Sequence, residues 1–320
     1  MRKSLRNDIC ILSFLLLISI ILIIGYQFPV IDKYKEWVQF YSVINDISIG
    51  YIASFIFYIL VEFIPKNKTY KDIEEYERVL CKEILDSLLF ILQSVNTGIK
   101  QIDLRYKEVT KEAYTNGSKD VYFSSIMPNH LSTVTLSGST VGEEIINQLN
   151  DINISVEKLL RYVTLTDSAL IKIINKILKL DLKNYCDNLI LLEKNGIIKR
   201  SSLDNINYFY DLYLFYKELQ SYYWTNYRYS IDVLVDLLLS SFTNNQLNKT
   251  LKYAKKILSM DQTHPLALLY RAKAAIEYAS IENEKTISNY VKSICNIDNY
   301  YRDLLEKDYG KEVIFRLLEI

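Results

Sequence analysis

Two histidines and four cysteines are all the imidazole and thiol that the 320 residues offer a metal ion. They are badly spaced for one. Cys10, Cys81, Cys186 and Cys295 lie far apart, no pair has CxxC spacing, and neither His130 nor His264 has a second histidine at HxxxH or HExxH distance. The short ligand spacings that build zinc sites are therefore missing, and no metal or other cofactor is expected. The thiols of the bulk domain read as reduced and buried. Net charge is also missing, because 38 Lys and Arg balance 38 Asp and Glu. Without a basic stripe, nucleic acid is not an expected partner, since phosphate neutralisation supplies most of that affinity. The scattered carboxylates read as solvated helix faces.

Glycine and proline are scarce, eight and four residues, and they cluster. Gly117, Pro128, Gly138 and Gly142 fall in residues 115–142, a Ser- and Thr-rich stretch that reads as a long irregular connection. Within it, Gly138-Ser139-Thr140-Val141-Gly142-Glu143 has the outline of a phosphate loop. The spacing is one residue short, and no Lys follows the second Gly. Thr140 and Glu143 instead have capping-box spacing. An enzyme could be built here only around His130 with Ser124 or Ser125, and nothing in the spacing orients such a pair. No catalytic residue is assigned, and the chain is not expected to be an enzyme.

What the chain does have is two apolar runs, Ile9–Tyr26 and Ile47–Ile64. At about 1.5 Å per residue, each just covers a hydrocarbon core of about 30 Å. The first run is too long for a signal-peptide core, and no small-x-small site follows Gly25. Pro65-Lys66-Asn67-Lys68 is expected to close the second. Glu62 near its end reads as an interfacial residue beside Lys66. Arg2, Lys3 and Arg6 precede the first run, and Lys66, Lys68 and Lys71 follow the second. The connection 27–46 has only Lys33 and Lys35 against Asp32, Glu36 and Asp46. Positive charge favours the cytoplasmic side, so both termini are expected inside a bacterial inner membrane. Gly50 and Ser54 share a helix face that would pack on the first span or on a second copy, which would make a homo-oligomer. Tyr34, Trp37 and Tyr41, with Ile44, recur at helical spacing and read as an interfacial anchor. The bilayer is thus the first expected partner.

Gly50-Tyr51-Ile52-Ala53-Ser54, Phe57-Tyr58, Val61 and Pro65 resemble the second span of a group of uncharacterised bacterial two-span membrane proteins. Glu62 stands where an aliphatic residue would be expected. The resemblance implies a two-span hairpin and no activity. The richness in Ile, Lys, Asn and Tyr fits an AT-rich bacterial genome.

Beyond residue 65 the chain reads as helices. Apolar residues from Ile73 to Val109 average a 3.6-residue spacing, predicting one helix over Thr69–Tyr114. Helices are also expected over Glu144–Val163, over Ser168–Lys179 capped by Thr166, and over Tyr185–Lys194 stopped by Asn195-Gly196. Ser201 or Ser202 would cap another near Leu203. That last helix is crowded with aromatics from Tyr208 to Tyr229, which read as core with wet phenol ends. A ligand groove or a membrane-surface contact is the alternative.

Ile257-Leu258-Ser259-Met260-Asp261 is echoed by Ile294-Cys295-Asn296-Ile297-Asp298. With His264-Pro265-Leu266-Ala267-Leu268, Ala272 at a small position, and Ile287, Val291 and Ile294 at inward spacing, the region resembles a tetratricopeptide repeat. That resemblance implies a concave surface for a protein or peptide partner.

The expected architecture is all-α. It comprises a transmembrane hairpin (1–65), a cytoplasmic helical bundle (66–241) and a tetratricopeptide-like helical hairpin (242–320). The expected role is a membrane-anchored interaction or sensor protein. The alternative is a membrane-perturbing effector of a phage-defence or stress system.

Overall fold

Proline 65 does not end a helix. The computed structural model describes residues 3–26, 35–118, 121–124, 140–162, 166–197, 206–278 and 283–320. In it α1 (Lys3–Tyr26) is followed by α2 (Lys35–Tyr58), which passes through a π-helical turn (Ile59–Phe63) into α3 (Ile64–Val95) without a break. Proline lacks an N–H, and its ring crowds the carbonyl one turn back. The π turn meets this conflict: the N–H of Ile64 bonds to the carbonyl of Ile59, five residues back, so the ladder is shifted just before Pro65. The hydroxyl of Thr69 then donates to the carbonyl of Pro65 at 3.0 Å. Lys66 pairs with Glu62 at 2.9 Å. The expected closure at Pro65 is thus a change of composition only. Likewise, the connection 27–46 is helical from Lys35 onward.

Two compact units divide the chain, residues 1–79 with 162–166, and 80–161 with 167–320. In the first, α1 and α2 pack through small side chains: Ser19 and Ser48 are buried, and the Tyr51 hydroxyl donates to the carbonyl of Leu12 at 2.9 Å. The outward faces are apolar and exposed, with Phe14, Leu17, Ile21, Ile47, Ile56 and Phe57 among them. Among the described residues one helix, within Ser42–Val95, is long and apolar enough to cross a membrane, and the apolar part of α1, Ile9–Gly25, falls just short.

The second unit begins where α3 becomes core, with Leu80, Ile84, Leu88, Ile91 and Val95 all buried. The single helix expected to reach Tyr114 stops at Val95. The side chain of Asn96 turns the chain, its Nδ2 donating to the carbonyl of Tyr114 at 2.8 Å and its Oδ1 accepting from the N–H of Ile99 at 3.1 Å. Two short helices follow, α4 (Gln101–Tyr106) and α5 (Lys111–Gly117). Ile99, Leu104, Val109 and Tyr114 still reach the core, so the apolar spacing outlasts the helix.

The capping box is formed as expected. Thr140 accepts from the N–H of Glu143, and Glu143 accepts from the N–H of Thr140, at the start of α6 (Val141–Leu160). Asp167, rather than Thr166, caps α7 (Ser168–Leu178), accepting from the N–H of Ala169 at 2.9 Å. The Asp167 carboxylate, one residue later, reaches the N–H of Ala169, while the Thr166 hydroxyl is engaged with the carbonyl of Tyr162. α8 (Leu182–Lys194) ends at Asn195-Gly196. There Gly196, at φ 67°, lets Ile197 and Gly196 bond back to Leu192 and Glu193. Ser201, Ser202 and Leu203 lie outside the described residues, as do residues 125–139 with His130.

α9 (Ile206–Asn226) supplies the aromatic core, with Phe209, Tyr213, Tyr216 and Tyr223 buried. Among the described residues five helices follow α10 (Ile231–Thr243): α11 (Leu247–Leu258), α12 (Pro265–Glu277), α13 (Glu284–Cys295), α14 (Asn299–Tyr309) and α15 (Lys311–Glu319). α11 pairs with α10 and α12, and α13 with α12, α14 and α15. Residue 241 therefore lies within one continuous unit, whose α10–α12 contact is made by Leu234, Leu238, Ala254, Ile257 and Ala267. Among the described residues there is no strand.

Candidate functional site

α9, α10 and α11 enclose a groove of about 490 Å³. Its walls are assembled from three helices by ordinary periodicity. On α9, Ser221 and Thr225 stand four residues apart and so share a face, with Trp224 beside them. On α11, Lys252 and Lys256 are related in the same way and flank Tyr253. Arg228, just past the end of α9, closes one end, and Leu234 and Leu237 of α10 form the floor.

Arg228, Lys252 and Lys256 form no ion pair with any carboxylate among the described residues, and no acidic side chain lines the groove. Two of the cations share one ring. Lys Nζ of residue 256 lies 4.4 Å from the centroid of Tyr229, and the Arg228 guanidinium carbon lies 4.9 Å from the same centroid. Lys256 also donates to the carbonyl of Arg228 at 3.4 Å. The ring and the carbonyl hold like charges together without neutralising them.

Behind the groove, the floor helix α10 is tied down by a polar cluster. Arg105 pairs with Asp236 at 2.8 Å, and the Tyr106 hydroxyl donates to the same carboxylate at 3.3 Å. The indole N–H of Trp224 is buried without a regular hydrogen-bond partner among the described residues, and it favours the charged form of Asp236. Burial raises the pKa of Asp236 above the usual carboxylate value, and Arg105 opposes that shift. Burial works against the charge of Arg105, but Asp236 and the neighbouring tyrosines outweigh it and leave its pKa raised. Asn244 adds a hydrogen bond to the carbonyl of Tyr106 at 3.0 Å.

α9 serves both sides. Tyr213 takes the N–H of Val109 at 2.9 Å and donates to the carbonyl of Lys107 at 3.0 Å, and Lys217 donates to the carbonyl of Arg105 at 2.9 Å. These side chains satisfy backbone groups that the short helices α4 and α5 leave open. Burial brings the pKa of Lys217 down to about 8.

The residues singled out in the sequence fall elsewhere. Gly50 and Ser54 are exposed on α2, and a side chain at Gly50 would meet nothing within 4 Å; on the same helix Tyr51 reaches α1 through its hydrogen bond to the carbonyl of Leu12. Trp37 and Tyr41 stand on α2, while Tyr34 and the side chains of Trp37 and Tyr41 lie outside the described residues. Ala272, Ile287, Val291 and Ile294 come together in one buried core among α12–α15. His264 caps α12, its Nδ1 accepting from the N–H of Ala267 at 3.4 Å. Cys81 and Cys186 are buried, and burial pushes the Cys186 thiol up to about 12. Among the described residues no three His, Cys, Asp or Glu side chains gather as a metal site.

The aromatic stretch that the sequence offers as a ligand groove in its alternative reading contributes Trp224, but nothing in that stretch points to the cations. The four-residue spacing of Lys252 and Lys256 was legible, but only folding brings Arg228, Ser221 and Thr225 beside them. No protein family, curated protein or solved structure matches this chain.

Proposed function

We propose that the chain is a membrane-anchored helical sensor and interaction protein. In this reading α1 and the α2–α3 helix are two spans of a bacterial inner membrane, both termini are cytoplasmic, and the second unit works in the cytoplasm. The groove of uncompensated cations carries the reading, because such a surface is completed by an anionic partner.

The C-terminal helices are the recruiting surface in this proposal. α13 begins 37 residues after α11 (Leu247 to Glu284) and both have 12 residues, which supports a repeat with a protein or peptide partner. The echoed motif has a local cause as well. Ile257 and Ile294 are buried at helix ends, and Asp261 and Asp298 each accept a backbone N–H at the start of the next turn.

Reporter fusions after Phe40 and after Ile320 test the topology: the first is to read as external and the second as cytoplasmic. A photo-crosslinker in place of Tyr300 or Phe315, both exposed, is to give one reproducible adduct in membranes. An external Ile320, or no adduct from either position, refutes the reading.

The exposed Gly50 and Ser54 face favours a second reading, in which hairpins from several copies assemble and perturb the membrane. Induced expression would then collapse membrane potential, and Gly50→Leu would prevent it.

A further inference from the structure

We propose that the groove between α9, α10 and α11 binds a nucleoside phosphate. This deepens the sensor reading by naming its ligand class, but it stands on the groove's chemistry and not on membrane attachment. Four features point to that class.

Arg228, Lys252 and Lys256 line one groove with no carboxylate among the described residues, and an Arg fork with two ammonium groups suits the several oxygens of a phosphate chain. The rest of the lining is different in kind: the Trp224 indole, the Tyr253 ring and the Leu237 side chain offer flat and apolar surface to a base, with the buried Leu234 among the lining residues. The Ser221 and Thr225 hydroxyls, also in the lining and four residues apart on α9, are donors and acceptors for a sugar or a base edge. The volume, about 490 Å³, lies in the range of about 300–1,000 Å³ common for small-molecule sites. A polymeric nucleic acid is disfavoured, because the chain as a whole carries no net positive charge.

The arrangement also explains why like charges are tolerated around Tyr229. The ring holds Lys256 and Arg228 in place, and the ligand's phosphates supply the missing countercharge.

The protein carries two tryptophans, Trp37 and Trp224, so Trp37→Phe leaves the groove indole as the sole reporter. Full-length Trp37→Phe protein in nanodiscs is titrated with AMP, ADP, ATP and GTP. The other probes are inorganic pyrophosphate and phosphatidylglycerol vesicles. Saturable quenching of Trp224 by at least one nucleotide is expected. Lys252→Gln with Lys256→Gln should weaken it at least tenfold while the helical circular dichroism stays unchanged, since Lys252 is exposed and Lys256 half-buried.

Absence of a saturable response to all four nucleotides overturns the proposal. So does pyrophosphate binding as tightly as ATP, which would mark a simple anion site, or a response to vesicles alone, which would mark a lipid surface. Nucleotide binding by a chain that proves not to be membrane-anchored would sink the anchored-sensor reading and leave this one standing.

Discussion

Tyr114 carries its phenol into the core and finds no hydrogen-bond partner among the described residues. Its ring lies 5.9 Å from those of Tyr210 and Tyr213, so the contact is aromatic and the hydroxyl is a burden. An unsatisfied buried polar group costs about 1–3 kcal/mol. Tyr114→Phe keeps the ring and removes the burden, so denaturant titration is expected to show equal or higher stability, by up to about 1 kcal/mol. A loss of that size would mean the hydroxyl has a role.

Lys217 sets a pH dependence of definite sign. Its pKa is about 8 in the folded chain, because of burial, against 10.5 for the free side chain. Between these values the unfolded chain holds more protons, so this residue makes stability rise with pH. The burden is fully present below pH 8 and gone above 10.5. The stability difference between wild type and Lys217→Met should therefore change across that interval. A difference that stays constant from pH 7 to 10.5 refutes the assignment.

At the scale of elements, helix starts and stops follow local chemistry, and so they were readable. Thr140 with Glu143 opens α6, and Asn195-Gly196 closes α8, because each signal acts on backbone groups within a turn. The long helix expected to reach Tyr114 was not readable as broken. Asn96 ends α3 by reaching Tyr114, 18 residues away, and apolar periodicity carries no trace of that contact. Pro65 misled for a related reason: a proline usually stops a helix, but the π turn before it removes the conflict.

Gly142 belongs to this scale as well. A β-carbon there would stand 2.0 Å from Cε1 of the buried Phe123, so the start of α6 requires glycine for close packing and not for binding phosphate. Gly142→Ala should cost about 1–3 kcal/mol through overpacking. Unchanged stability in urea would show that Phe123 moves aside freely.

At the scale of the whole molecule, the decisive feature is the apolar hairpin. Large exposed side chains such as Phe14, Leu17, Ile21 and Phe57 crowd a surface that water does not favour. The chain is expected to stay with membranes through carbonate washing and to leave them only in detergent. Release by carbonate would remove the anchor from the proposed function.

Composition and local spacing by themselves determined the helical class, the two apolar runs, the capping box and the terminating glycine. Each depends on residues within one or two turns of one another. Only the tertiary structure decided where the chain can bind. Arg105 meets Asp236 across 131 residues, and Arg228 meets the Lys252–Lys256 face only when α9 and α11 pack on α10. Charges that look evenly balanced along the chain become locally unbalanced because packing sorts them: Asp236 is drawn into the polar cluster, and the three groove cations are left without a carboxylate among the described residues.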